Sequence, residues 1–205
     1  MKIPLQNTHF AWFDDQLIGL DISHDRYIVL QPDQSRSFSA KVPATPVCHY
    51  DAQTCAPPPL SGVPVNCWKL SPGQVRNRLN IIESARLFST LRKVHDTSKT
   101  HRLSGLLQLI ESERIQRKNK RTLRNEDDLA ASLNLTCFLY PVKTKCLEWA
   151  CTLIIAGYRY GLDMKLVIGI QNRPFFAHAW AELDGRVVGD DPARRRQLAV
   201  IHETT

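Results

Sequence analysis

Short apolar runs separated by polar positions open the chain over residues 8–30, and His24-Asp25 marks a turn before the last run. This alternation predicts a meander of about three short β strands in that range. Residues 31–66 are different, because they are rich in Pro, Ser, Thr and Gln and include three consecutive prolines. Since regular structure is hard to sustain in such a stretch, we expect it to be the loop-rich remainder of a first module plus a linker.

Apolar positions at helical spacing begin beyond this stretch. Ser71-Pro72 supplies a capping hydroxyl and a first-turn proline, and apolar residues then recur at helical intervals as far as Leu91. A second amphipathic helix is predicted over about residues 101–116. A third begins at Asn125, where the three acidic residues that follow suit the positive end of the helix dipole.

The last third of the chain reads as one helix followed by a sheet. The helix runs from about Lys145 to Tyr160, and Gly161 ends it. Asp184-Gly185 is typical of a hairpin turn between two strands. The predicted strands cover residues 165–171, 175–183 and 186 to about 190.

Helices that precede an antiparallel sheet indicate the α+β fold class. We place a domain boundary at the end of the Pro-rich stretch. The predicted organisation is a small β-rich module over residues 1–70 and a larger domain over residues 71–205.

Composition and charge limit the classes of protein that fit. Apolar residues make up 43% of the 205 residues, which is enough to fill a core, and no apolar run approaches the ~20 residues of a membrane span. The N-terminus lacks the pattern of a secretory signal, so we expect a cytoplasmic protein without a membrane partner. The formal charge of +7 is concentrated in residues 112–124. Such runs are usually solvated helix ends or loops, so nucleic acid is not an expected partner.

Six cysteines in a cytoplasmic chain of this size are more often free, catalytic or metal-bound than paired in disulfides. Cys48, His49, Cys55 and Cys67 could supply four zinc ligands. They lack the usual paired Cys-x-x-Cys spacing and lie in a loop-like stretch, so no metal site is expected.

Cys146 is the candidate nucleophile because it falls in the first turn of its predicted helix. Unpaired backbone N–H groups at a helix start favour the thiolate and lower the pKa of a thiol. The alternative is an inert, partly buried cysteine, which is the commonest role of this residue type. Cys151 lies further round the same helix and is expected to belong to the core.

His178 is the candidate base, in the middle of a predicted strand. It shares one face of that strand with Phe176 and Trp180. This pattern fits either a satisfied core histidine or a base shielded from bulk water. A helix-borne cysteine followed by a strand-borne histidine suits nucleophilic catalysis, in which the histidine takes the thiol proton.

An aspartate would complete the set, and two candidates are open. A strict two-residue turn at Asp184-Gly185 places Asp191 opposite His178, whereas a bulge or a longer turn places Asp190 there. Either carboxylate could fix the histidine tautomer and stabilise the imidazolium. Either could equally serve only in a turn. The pattern alone does not choose between them.

The C-terminal segment resembles a known family. The resemblance rests on LVIGI, PFFAHAW, DGRVV with an aspartate soon after, the closing QLAVI and the upstream KCLEWA. These features are similar to the lasso peptide maturation B proteins, the microcin-type leader peptidases. The similarity extends from about residue 125 to the end and is weaker over residues 70–125.

The resemblance implies a transglutaminase-like (papain-like) cysteine peptidase domain that hydrolyses one bond between leader and core peptide. By position, it implies Cys146 as nucleophile, His178 as base and Asp190 as the aspartate. Choosing Asp190 over Asp191 also predicts the shifted hairpin pairing.

The same resemblance implies that the N-terminal module is a small winged-helix-like domain that binds the leader peptide as an added strand. The candidate edge residues are Tyr27, Ile28, Val29 and Leu30. The expected partners are a precursor peptide and an ATP-dependent lasso cyclase. No cofactor is expected for the triad chemistry, although ATP dependence of the peptidase step is a further implication of the family.

Two other functions fit the same residues. An acyltransferase or transglutaminase would use the triad but let an amine resolve the thioester instead of water. A non-catalytic precursor-binding subunit would not need the thiol at all, so replacing Cys146 by alanine would leave its function intact.

Overall fold

A computed structural model describes residues 7–39, 81–116 and 125–205 of the chain. Seven strands and five helices lie in these ranges. In chain order they are β1 (Thr8–Phe13), β2 (Gln16–Asp21), β3 (Arg26–Val29), α1 (Pro32–Ser39), α2 (Ile81–Ile115), α3 (Glu126–Leu139), α4 (Cys146–Arg159), β4 (Lys165–Gln171), β5 (Phe176–Leu183), β6 (Arg186–Val188), α5 (Arg194–Gln197) and β7 (Ala199–Glu203). Helices and strands are both abundant, as the α+β prediction requires.

The N-terminal strands form an antiparallel sheet of order β1-β2-β3, which confirms the predicted meander. Its strands are short because turn residues interrupt them, and Asp14 and Asp25 adopt positive φ in the two connections. One apolar cluster on this sheet consists of Phe10, Leu17, Ile28 and Leu30, with Phe38 packed against it. Burial of this cluster is what stabilises so small a sheet.

Helix α1 corrects the expectation that residues 31–66 are loop-rich throughout. Proline is tolerated in a first helical turn, so Pro32 starts the helix instead of preventing it. Ser35 then ties the helix to the sheet, because its buried hydroxyl accepts the Leu17 N–H at 3.0 Å and donates to the Gln31 carbonyl at 2.9 Å. Residues 40–66 lie outside the described residues.

Helix α2 contains a sharp break at Arg102, where φ is 54° and ψ is −147°. The break separates two helical segments. The second agrees with the helix predicted over about residues 101–116, and the first continues beyond Leu91 as far as the break. The predicted start at Ser71-Pro72 lies outside the described residues. The predicted boundaries of α4 are confirmed to within one residue, and Gly161 follows it at a φ of 78°.

The second sheet has the order β6-β5-β4-β7. Leu183 pairs with Arg186 across a two-residue turn in which both φ values are positive, so the hairpin is the strict type. The shifted hairpin pairing predicted above is therefore wrong. Strand β6 also ends at Val188, two residues earlier than predicted, and neither β7 nor the short α5 was predicted as an element.

The described residues divide into two compact units. The first unit contains β1 to β3 and α1 together with Val167–His178 and Ala193–Glu203. The second unit contains the described residues from α2 to Leu166 together with Ala179–Pro192 and the last two residues. Within the described ranges, none of the helices combines the length and apolar character needed to cross a membrane.

Candidate active site

Cys146 is the first residue of α4, as the sequence predicts. Lys145 precedes it in an extended conformation and acts as the N-cap, and its carbonyl accepts the first intrahelical bond from the Trp149 N–H at 2.9 Å. The Cys146 side chain is partly exposed. A partly exposed thiol at a helix start can meet a substrate and benefits from the positive end of the helix dipole.

The start of α4 is capped by an acidic residue of its own first turn, Glu148. The Glu148 carboxylate accepts the Lys145 N–H at 3.0 Å through Oε2. Its other oxygen lies 3.2 Å from Nδ1 of His95, which comes from α2. Both side chains are buried. The helix start is therefore held by a carboxylate that is itself anchored to another helix.

The other two cysteines in the described ranges occupy environments that suppress the thiolate. Burial raises the pKa of the Cys137 thiol to about 11. Cys151 has no exposed surface, and burial raises its pKa further, with the Cys146 and Glu148 charges adding to the effect. The interpretation of Cys151 as a core residue is confirmed. Of the three described thiols, Cys146 alone combines partial exposure with a helix start.

His178 lies on β5, and its side chain is 1% exposed. Its ring stacks on that of Phe176, with centroids 5.8 Å apart and planes at 14°. The predicted shared face of these two residues is therefore present. His178 belongs to the first unit, whereas Cys146 and Asp190 belong to the second. The pairing of the three as a triad stays a prediction.

Asp190 and Asp191 follow the end of β6, so the hairpin register does not extend to either of them. Asp190 is partly buried and its Oδ1 accepts the Asp191 N–H at 2.7 Å, whereas the Asp191 side chain is exposed. Less solvent screens a partly buried carboxylate than an exposed one. Which of the two aspartates interacts with His178 stays a prediction.

Gly189 follows the end of β6 and immediately precedes Asp190. Its φ is 68°, a conformation that favours glycine. A Cβ at this position would lie 2.5 Å from the Trp149 ring and 3.0 Å from the Ala130 side chain. The backbone that precedes Asp190 therefore packs against the far edge of the Trp149 ring of α4 and against Ala130 of α3.

The predicted edge residues lie on or next to β3, whose neighbour among the described strands is β2. The Leu30 N–H donates to the Leu17 carbonyl at 3.0 Å. Because antiparallel pairing alternates, Tyr27 and Val29 then point their backbone N–H and C=O groups away from β2. The side chains of Ile28 and Leu30 are buried in the apolar cluster.

The described residues contain no group of three or more His, Cys, Asp or Glu side chains arranged to hold a metal ion. Cys48, His49, Cys55 and Cys67, the candidate zinc ligands, lie outside the described residues.

Sequence reasoning missed Glu148, His95 and Gly189. Glu148 has a local signal, since it stands three residues after an N-cap, where a capping acid is common. His95 has none, because 53 residues separate it from Glu148. The sequence shows Gly189 only as a glycine at the end of a predicted strand, and this pattern does not indicate a particular role.

Comparisons with known proteins identify a family and one partial relative. The transglutaminase-like superfamily matches the chain over residues 86–203. The microcin J25-processing protein McjB of Escherichia coli is 32% identical over 92 residues, which are 43% of this chain and 44% of McjB. The chain thus matches less than half of the length of McjB. No solved structure matches the chain. Since the family match covers more than half of the 205 residues, the chain belongs to the transglutaminase-like superfamily.

Proposed function

We propose that the protein is a cysteine peptidase that cuts the leader from the core of a lasso-type peptide precursor. The observation that carries the proposal is the placement of Cys146, a partly exposed thiol at the start of α4 in a transglutaminase-like domain. The similarity to a microcin-processing protein supports a precursor peptide as the substrate class.

In this proposal the Cys146 thiolate attacks the carbonyl carbon of the scissile bond. His178 takes the thiol proton and gives it to the nitrogen of the leaving core peptide. A thioester between Cys146 and the leader remains. Water then attacks the thioester, His178 accepts a proton from that water, and the leader leaves with a free carboxylate.

Asp190 is assigned the third role, which is to fix the His178 tautomer and to stabilise the imidazolium. Its partial burial and its position directly after the closely packed Gly189 support this choice over Asp191. The backbone N–H of Cys146 is the candidate donor to the oxyanion, because it lies at the start of the helix.

Leader recognition is assigned to the outer edge of β3. The N–H and C=O groups of Tyr27 and Val29 point away from β2, and those of Val29 can pair with an added strand. Ile28 and Leu30 serve by holding the strand in its sheet, since their side chains belong to the apolar cluster.

The test is incubation of the purified protein with a precursor peptide from the same gene neighbourhood. The peptide is followed by mass spectrometry, with and without the ATP-dependent cyclase and ATP. We expect separate leader and core peptides, and none from a Cys146→Ala variant. The four combinations of cyclase and ATP also measure whether either is needed. An intact precursor under all of them contradicts the proposal.

Acyl transfer is the second candidate, because the transglutaminase-like superfamily assignment supports it as well as peptidase activity. It shares every step up to the thioester but ends when an amine, not water, attacks. Adding a simple primary amine to the incubation separates the two reactions. A leader with a free carboxylate supports peptidase activity, and a leader joined to the amine supports acyl transfer.

A further inference from the structure

A buried acid–imidazole pair stands behind the first turn of α4, in the same unit as Cys146. Glu148 is 3% exposed and His95 is 8% exposed. Oε1 of Glu148 lies 3.2 Å from Nδ1 of His95. Two ionisable side chains are costly to bury, so their close pairing needs a physical reason.

Aromatic rings hold the His95 side chain in place. The Tyr140 ring packs edge-on against the imidazole at 5.9 Å, and Phe88 packs against Tyr140 at 5.2 Å. Burial raises the pKa of the phenol of Tyr140, which is itself partly exposed, and the Asp96 and Glu148 charges raise it as well. His95 is thus a fixed anchor for the carboxylate and not a mobile surface group.

The second oxygen of the Glu148 carboxylate binds the backbone next to Cys146. Oε2 accepts the Lys145 N–H at 3.0 Å, while the Lys145 carbonyl accepts the Trp149 N–H at 2.9 Å. Lys145 is therefore fixed at both its amide and its carbonyl. That carbonyl and the N–H of Cys146 belong to one planar peptide unit, so fixing the first also fixes the direction of the second.

Electrostatics argue against a role as a simple charged cap. A carboxylate in the first turn opposes a thiolate at the same helix start, because the two charges have the same sign. The Glu148 charge reaches the helix interior, where it helps to raise the pKa of Cys151. A bond from His95 offsets part of this charge while leaving the carboxylate in place to bind the backbone.

We propose that Glu148, anchored by His95, is a positioning residue that fixes the Cys146 N–H and thiol for attack. The inference rests on the proposed peptidase function for its kinetic consequence. Neither side chain is assigned contact with the substrate; both act through the backbone of Lys145 and Cys146.

The test uses the full-length protein and two pairs of variants. Glu148→Ala and His95→Leu delete the two links. Glu148→Gln keeps an acceptor for the Lys145 N–H, and His95→Asn keeps a donor near the position of Nδ1. Glu113→Gln is the matched control, because it removes one charge from the Lys93 ion pair on the helix that carries His95.

Two readouts are taken on each variant. The first is kcat and KM for precursor cleavage at a temperature where circular dichroism shows a folded protein. The second is the pH midpoint of iodoacetamide alkylation at Cys146. Fragmentation of the tryptic peptide 146–159 separates the label on Cys146 from any label on Cys151, which lies in the same peptide. The alkylation needs no substrate, so it reports on the thiol even if the precursor is not cleaved.

We expect each deletion to lower kcat by about 100-fold with KM changed by less than about twofold, since misplaced reacting groups carry such losses. The Gln and Asn variants should recover kcat to within roughly threefold of the unmodified protein. His95→Leu should also raise the alkylation midpoint, because the carboxylate loses its partner and the helix start loses its fixed N–H groups. His95→Asn should restore it.

Unchanged kcat and unchanged alkylation in both deletions would overturn the inference. So would deletions that lose their folded signal, because the pair would then serve stability alone. Failure of the unmodified protein to cleave the precursor is a different result. It contradicts the proposed function, while the alkylation midpoints still decide whether the pair positions the thiol.

Discussion

In the proposed function, the first turn of α4 and the outer edge of β3 offer a substrate two different kinds of surface. At α4 a single side chain, that of Cys146, is proposed to carry the chemistry, and Glu148 holds the backbone beside it. At β3 the backbone itself is presented, while alternate side chains are buried beneath it. The two regions therefore call for different experiments. A side-chain deletion tests the first, and only a change in the backbone tests the second.

The largest expected effect is at Cys146. Replacing it by alanine removes the nucleophile, so cleavage of the precursor should fall by roughly 1,000-fold or more. Binding of the leader, measured by fluorescence anisotropy, should stay within about twofold because the β3 edge is unchanged. Cys137→Ala is the matched control, since its buried thiol has a pKa of about 11. Cleavage by Cys146→Ala at the normal rate would show that Cys146 is not the nucleophile.

The two neighbouring aspartates should differ sharply. Asp190→Asn keeps the size of the side chain but removes the charge that supports an imidazolium, and the expected loss in kcat is roughly 1,000-fold. Asp191→Asn, on an exposed side chain, should change kcat by less than about threefold. Kinetics of precursor cleavage compare the two. If Asp191→Asn carries the larger loss, the third role belongs to Asp191.

Alanine substitutions at Gly189 and Gly185 distinguish the effect of side-chain packing on stability from the effect of backbone strain. Both have positive φ, but a Cβ at Gly189 would strike Trp149 while nothing lies within 4 Å at Gly185. Alanine at Gly189 should lower the free energy of unfolding by about 3 kcal/mol, and at Gly185 by about 1 kcal/mol. Urea titration measures both. Equal losses would show that the contact between Gly189 and α4 contributes little.

The β3 edge is tested by removing one backbone donor. Val29→Pro deletes an N–H that points away from β2, which an edge strand tolerates. Leader affinity should weaken about 10-fold, whereas Val29→Ala, which keeps the N–H, should bind nearly as the unmodified protein does. The alkylation midpoint of Cys146 should be the same in both. Equal leader affinity of the two variants would show that β3 does not bind the leader.

The smallest expected effect is a pH dependence of stability that arises in the first unit. The rings of His9 and His202 meet edge-on at 4.7 Å. Burial lowers the pKa of His202 to about 4, and His9 lowers it as well. The folded state therefore resists protonation between pH 6.5 and about 4, so stability falls as the pH falls through this window. Unfolding in urea should cost about 1 kcal/mol less at pH 5.5 than at pH 7.

The control for this effect is His202→Phe, which keeps a ring against His9 but removes one titrating group. Its stability should vary less with pH over the same window. A slope identical to that of the unmodified protein would assign the pH dependence to other groups.

The elements predicted from sequence are those that local chemistry determines. The meander of β1 to β3, the limits of α4 and the Asp184-Gly185 turn all follow from apolar period, caps and turn residues. Helix α1 was missed because the Pro-rich composition of its surroundings outweighed Pro32, which in fact suits a first turn. Strand β7 was missed because its pairing partner, β4, lies far away in sequence.

The candidate site divides in the same way. Cys146 could be found from its place at a helix start, and Glu148 carries a capping signal three residues after Lys145. The anchor His95 is contributed by a distant helix, and no local pattern connects it to Glu148. The choice of Asp190 needed the family resemblance, and the hairpin register associated with that choice was wrong. Non-local contacts are what sequence periodicity leaves out.

In the proposed reaction Cys146 forms a thioester with the leader, and water resolves it. Cleavage of the precursor in heavy-oxygen water, followed by mass spectrometry of the leader product, tests this step. We expect one heavy oxygen in the new leader carboxylate and no product from Cys146→Ala. A precursor left intact with and without cyclase and ATP, or a leader released only as an amine adduct, would contradict it.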